Sequence, residues 1–167
     1  MKTNKFNSTI ELLLRMVNEG FRTKAWHGPN LRGSIRGLRA KEAAWRPSPT
    51  RHNVWEIVVH AAYWKYAVRR RLRGDKRGSF PLKGSNWFRR PIEQTEEAWR
   101  QDVKLLEEEN DALHEAIREL RPSKIFKTSK GSKYTNFALI QGIAMHDVYH
   151  AGQIQLLKRL QKSSRGK

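Results

Sequence analysis

Two histidines four residues apart, in the run His146-Asp-Val-Tyr-His150, fall inside a strongly helical pattern near the C-terminus. Four residues make about one helical turn, so both imidazoles leave the same face and can converge on one metal ion. A third ligand must come from elsewhere, and His60, closing the run His52-Asn-Val-Trp-Glu-Ile-Val-Val-His60, is the first candidate. Three neutral imidazoles with positions left open for water are the arrangement of a catalytic metal site, not a closed structural one. Glu56, one turn before His60, offers a carboxylate that either orients the His60 ring or acts as a base on bound water. It is equally a residue that caps the first turn of its helix. His52 lies roughly 80° around the helix from His60, and Asp147 about 100° from His146, so both are poorer ligands. His27 and His114 read as ordinary.

Composition narrows what else the chain can be. Its 167 residues, 38% of them hydrophobic, suffice for one domain with a modest core. The absence of cysteine excludes disulfides, thiolate ligands, iron–sulfur clusters and a cysteine nucleophile, so any metal is held by His, Asp or Glu. Residues 1–9 are polar and lack a signal peptide's apolar stretch, and no run reaches membrane-spanning length. The expectation is a cytoplasmic protein. Asn7-Ser-Thr9 fits a glycosylation sequon, read as incidental without a secretory signal.

The net charge of +18 is unevenly spread: +16 over residues 1–91, −7 over 92–119 and +9 over 120–167. The acidic block coincides with one helical segment, which predicts a negative flank on an otherwise positive surface. Such asymmetry favours self-association, steers anionic substrates, or binds nucleic acid through its phosphates. Nucleic-acid binding is the competing class, carried by Arg69, Arg70, Arg71 and Arg73 with Trp87 and Phe88 nearby. Against it, no helix-turn-helix, zinc-finger or RNA-recognition signature is present. Phosphate-loop and serine-hydrolase motifs are also lacking.

Four amphipathic segments must position the histidines. The first, about 5–19, puts Phe6, Ile10, Leu13, Leu14 and Val17 on one stripe, with Gly20 as its stop. A long connection over 20–51 holds one short helical piece near 38–45, with Trp26 and Trp45 expected to pack it onto the body. The second helix, about 52–73, turns Val54, Ile57, Ala61, Trp64 and Val68 inward. The third, about 92–121, is stopped by Pro122, and its 30 or so residues span about 45 Å. The fourth, about 135–162, carries Leu139, Ile143, His146, His150, Ile154 and Leu157 inward. The chain reads as all-α, a four-helix bundle over residues 1–162 with long loops, one short extra helix and a basic flexible tail at 163–167.

On that stripe both histidines point toward the core, where an unpaired polar group costs about 1–3 kcal/mol. A shared metal satisfies both, because bundle-core metal sites are built from facing helices. Separate hydrogen bonds would also satisfy them.

The run from Trp26-His-Gly-Pro29 through Trp45-Arg-Pro47 to the His52–His60 segment, followed by His146-Asp-Val-Tyr-His-Ala-Gly-Gln-Ile154, resembles the DinB/YfiT-like superfamily of metal-dependent enzymes. The resemblance implies a four-helix bundle, one divalent ion held by His60, His146 and His150, and often a homodimer. Zinc or nickel suits three imidazoles best, with iron or manganese as further candidates. It also implies either a hydrolase or a thiol-dependent transferase. Lacking cysteine, this chain would take any low-molecular-weight thiol as a cosubstrate.

Two basic loops bear on the substrate, one with Lys76, Arg77, Lys83, Arg89 and Arg90, the other with Lys124, Lys127, Lys130 and Lys133. If they flank the site they select a small anionic substrate, with Arg89, Arg90 and Trp87 the expected contacts.

Overall fold

In the computed structural model, which describes residues 5–129 and 131–165, the chain forms α1 (Lys5–Phe21), the short helices α2 (Leu31–Ile35) and α3 (Ala40–Ala43), then α4 (Val54–Arg73), α5 (Glu96–Arg118) and α6 (Asn136–Arg165). Lys130, residues 166–167 and the side chain of Phe6 lie outside the described residues. Among those described there is no strand, only isolated bridges pairing Ala25 with Gly28 and Thr128 with Thr135. No helix is long and apolar enough to cross a membrane. The all-α bundle expected from periodicity is what forms, with two short helices in place of one.

Capping residues set the boundaries that periodicity blurs. The Asn53 side chain accepts from the Glu56 N–H at 2.7 Å, Thr95 from Ala98 at 3.1 Å and Thr135 from Ala138 at 3.1 Å. These caps start α4, α5 and α6 later than the apolar stripes suggest. Gly20 is not a stop: α1 continues to Phe21. A Cβ there would sit 2.7 Å from the Ala144 carbonyl oxygen, so the glycine lets α1 approach α6. At the other end α6 continues to Arg165, so residues 163–165 are helical instead of tail.

Packing divides the core into two apolar clusters. One gathers Leu31, Ile35, Trp55, Val58, Trp99, Leu106 and Ile154; the other gathers Leu14, Val17, Val68, Leu113, Ile117, Ile140 and Ile143. Between them, by position along α4, α5 and α6, lie the buried Lys65, Asn110 and Asp147, with the buried His114 one residue further along α5. This polar layer crosses the bundle at the level of His146 and His150.

Half of the expected negative flank is paired with basic side chains of other elements. Asp102 of α5 pairs with Arg90 at 2.9 Å, Glu109 with Arg69 at 3.1 Å, Asp111 with Arg22 at 2.9 Å and Glu119 with Arg73 at 3.1 Å; Glu107 pairs with Arg32. The acidic helix fastens the basic elements around it. Trp26 does not anchor the first long loop, being 100% exposed. Buried Leu31, Ile35, Ala40 and Ala43 do that, together with Asn30, whose side-chain amide donates to the Thr23 carbonyl at 2.8 Å.

Candidate metal centre

α4 and α6 bring His60, His146 and His150 together, and these are the only histidine or carboxylate trio so placed among the described residues. The Nε2 atom of His146 lies 3.1 Å from Nε2 of His60 and 3.1 Å from Nε2 of His150. Two nitrogens 3.1 Å apart, each about 2.1 Å from a common centre, subtend roughly 95° there, between octahedral and tetrahedral values.

Proton placement on the rings makes the same point. His60 Nδ1–H donates to the Asn86 carbonyl at 2.8 Å, since a carbonyl only accepts. His150 Nδ1–H donates to Gln153 Oε1 at 2.6 Å, and the amide's orientation is set by its Nε2 donating to the Tyr149 hydroxyl at 2.9 Å. Both Nε2 atoms therefore carry lone pairs aimed at His146. A neutral His146 has at most one proton to serve the two contacts, and its buried Nδ1 has no partner. A cation resolves this donor deficit. Burial pushes His60 down to about 4 and His146 to about 3, and lowers His150. The rings are thus neutral at neutral pH, the form that ligates. The residues fit a divalent ion.

Two of the three histidines, His60 and His150, are held from behind. Asn86 has a left-handed backbone, φ 64°, which asparagine tolerates better than most residues, and this turns its carbonyl toward His60. Its side-chain oxygen accepts from Trp64 Nε1 at 2.9 Å. Trp87 lies flat between two imidazoles, 3.8 Å from the His60 ring and 3.7 Å from the His52 ring by centroids.

Glu56 does not orient His60 directly. Its oxygens take the Arg46 guanidinium at 2.6 and 2.9 Å, His52 Nδ1–H at 2.8 Å and the Arg90 N–H at 3.3 Å. Burial alone would raise its pKa, but the Arg46, His52 and Arg90 contacts outweigh it and hold the carboxylate below its usual value. With both oxygens engaged, Glu56 reaches the site only through His52 and the Trp87 stack. That corrects its expected role as a base.

A family model for the DinB superfamily matches residues 25–154. The chain belongs to the DinB superfamily. The matched stretch contains the three histidines and the residues behind them, Asn86, Trp87 and Gln153. No curated protein and no solved structure matches this DinB-superfamily chain.

The expected substrate contacts divide. Arg89 is exposed on its loop. The Arg90 guanidinium pairs with Asp102 and its carbonyl accepts from Asn53 Nδ2 at 2.8 Å, so Arg90 fastens the loop to the bundle. Trp87 buttresses His60. The four arginines proposed for nucleic acid do not form one free stripe, since Arg69 and Arg73 are paired to α5 and Arg70 donates to the Asp75 carbonyl at 3.1 Å. Sequence reasoning missed Asn86, Lys65 and Gln153. Gln153 was within reach, being three residues after His150 on the same helical face.

Proposed function

We propose that this protein is a metal-dependent enzyme in which His60, His146 and His150 hold one divalent ion, zinc or nickel by preference and iron or manganese as alternatives. The observation supporting this is the convergence of three Nε2 atoms with too few protons to satisfy each other. A divalent ion bound there lowers the pKa of a bound water or low-molecular-weight thiol, supplying a nucleophile near neutral pH. The protein's own contribution is positional. Asn86 and Gln153 fix the tautomers of His60 and His150, and Trp87, held through His52 by Glu56, fixes the His60 ring plane. The reading is a hydrolase or thiol-dependent transferase acting on a small anionic substrate, in a cytoplasmic homodimer.

The test is turnover by protein loaded with each metal in turn, against panels of anionic esters and amides with water, and of electrophiles with low-molecular-weight thiols. Turnover that needs the metal and disappears in folded His150→Ala supports the reading. Metal-independent turnover, or none with any ion, contradicts it.

A further inference from the structure

Beside the three histidines a groove of about 280 Å³ lies between α4 and α6. Val68, Leu139 and Ile143 line it; His146 stands toward one end, and Arg71 and Tyr134 toward the other. His146 and Ala138, both on its wall, are eight residues apart on α6, so the groove is about 12 Å long. Its lining is apolar along most of that length. Arg71 is the exception, and its state sets it apart from its neighbours. Arg69 and Arg73 are paired with Glu109 and Glu119, whereas Arg71 lines the groove and has no ion pair among the described residues. An unpaired guanidinium at the end of an apolar groove is a place for an anion.

We infer that the groove binds amphipathic acids lengthwise, with the carboxylate on Arg71, an unbranched apolar chain across Val68, Leu139 and Ile143, and the far end at His146. This names the substrate class for the proposed metal site, and only the role of the far end rests on that reading. A neutral chain of the same length lacks the anion for Arg71. A short acid reaches Arg71 but leaves the apolar walls uncovered. The preference is therefore for both features in one molecule.

Gly142 offers a clean block. It is exposed on the groove wall, and a Cβ added there meets nothing within 4 Å, so Gly142→Leu fills the groove while favouring the helix. The rival anion site is the adjoining cavity of about 680 Å³ lined by Arg77 and Lys83, which Arg71 also borders.

The experiment is isothermal titration of octanoate, octanol and butyrate into the full-length protein as purified and after chelation. The variants are Arg71→Gln, Gly142→Leu and the double variant Arg77→Gln/Lys83→Gln, with metal content measured on each. Octanoate should bind at least about tenfold more tightly than either comparator. Arg71→Gln should erase the preference over octanol, and Gly142→Leu should abolish binding. Chelation and the double variant should leave octanoate affinity within about twofold, and the variants as purified should match wild type in metal content. Equal binding of octanol, or unchanged affinity in Arg71→Gln, overturns the assignment. Loss on chelation instead would place the carboxylate at the histidines, and loss in the double variant alone would place it in the adjoining cavity; either overturns it. A protein that keeps the Arg71-dependent preference but holds no metal sustains the groove and refutes the metalloenzyme reading.

Discussion

Replacing Lys65 by Met should be among the most damaging single changes outside the apolar core. Lys65 Nζ and Asp147 Oδ2 lie 2.5 Å apart with both side chains 0% exposed. Burial pushes the Lys65 pKa down and that of Asp147 up, and only their mutual attraction opposes this. Asp147 Oδ1 has no partner, so the carboxylate's hydrogen bonding rests on the lysine. Breaking such a pair from one side costs about 3–5 kcal/mol. For a chain of this size that lowers Tm by about 6–20 °C, at about 2–4 °C per kcal/mol. Asp147→Leu should cost a similar amount, by stranding the ammonium. The double change Lys65→Met/Asp147→Leu should cost less than either single, because the buried charges leave together; what remains lost is chiefly the contact of Lys65 with the Phe21 ring, 4.5 Å from its centroid, about 0.5–2 kcal/mol. Urea unfolding followed by circular dichroism measures all three, and the comparison holds if the slope m is unchanged. Single variants costing under about 1 kcal/mol, or a double variant costing the sum of the singles, would refute this account of the polar layer.

Gln153→Leu should weaken metal affinity about 10–100-fold while leaving the fold intact, because His150 loses the acceptor that fixes its tautomer; competition with a chelator measures it, and unchanged affinity removes Gln153 from the site. Stability of the metal-free protein should fall on acidification. Burial holds His114 down at about 4, so the unfolded chain, titrating near 6.5, takes up a proton first. The His114 contribution is thus intact above about pH 6.5 and is lost as pH falls toward 4, with His60 and His146 adding in the same direction. His114→Gln should flatten part of that slope, and urea midpoints that do not move between these pH values would contradict the assignment.

The helices were legible in the sequence because apolar spacing of threes and fours records which face is buried, and the histidine trio because His146 and His150 sit on that face. What lay beyond local pattern was the pairing across elements. Nothing near Lys65 announces that Asp147, 82 residues later, will neutralise it. The acidic block of α5 looked like a continuous negative flank because sequence shows its charge but not Arg22, Arg69, Arg73 and Arg90 pairing with part of it. Glu56 misled for the same reason. Its spacing from His60 is that of an orienting carboxylate, but Arg46 and the Arg90 backbone, brought in by two separate loops, occupy it first. Arg89 and Arg90 looked equivalent as neighbours in a basic loop, and the fold turned one out to solvent and the other onto Asp102.

Metal content per chain tests the central claim most directly, measured by elemental analysis on untagged wild type and on His60→Ala, His146→Ala and His150→Ala. The account predicts about one ion in the wild type, lost in each variant while circular dichroism shows the helices intact. A wild-type protein that neither carries an ion nor takes up zinc, nickel, iron or manganese would contradict it.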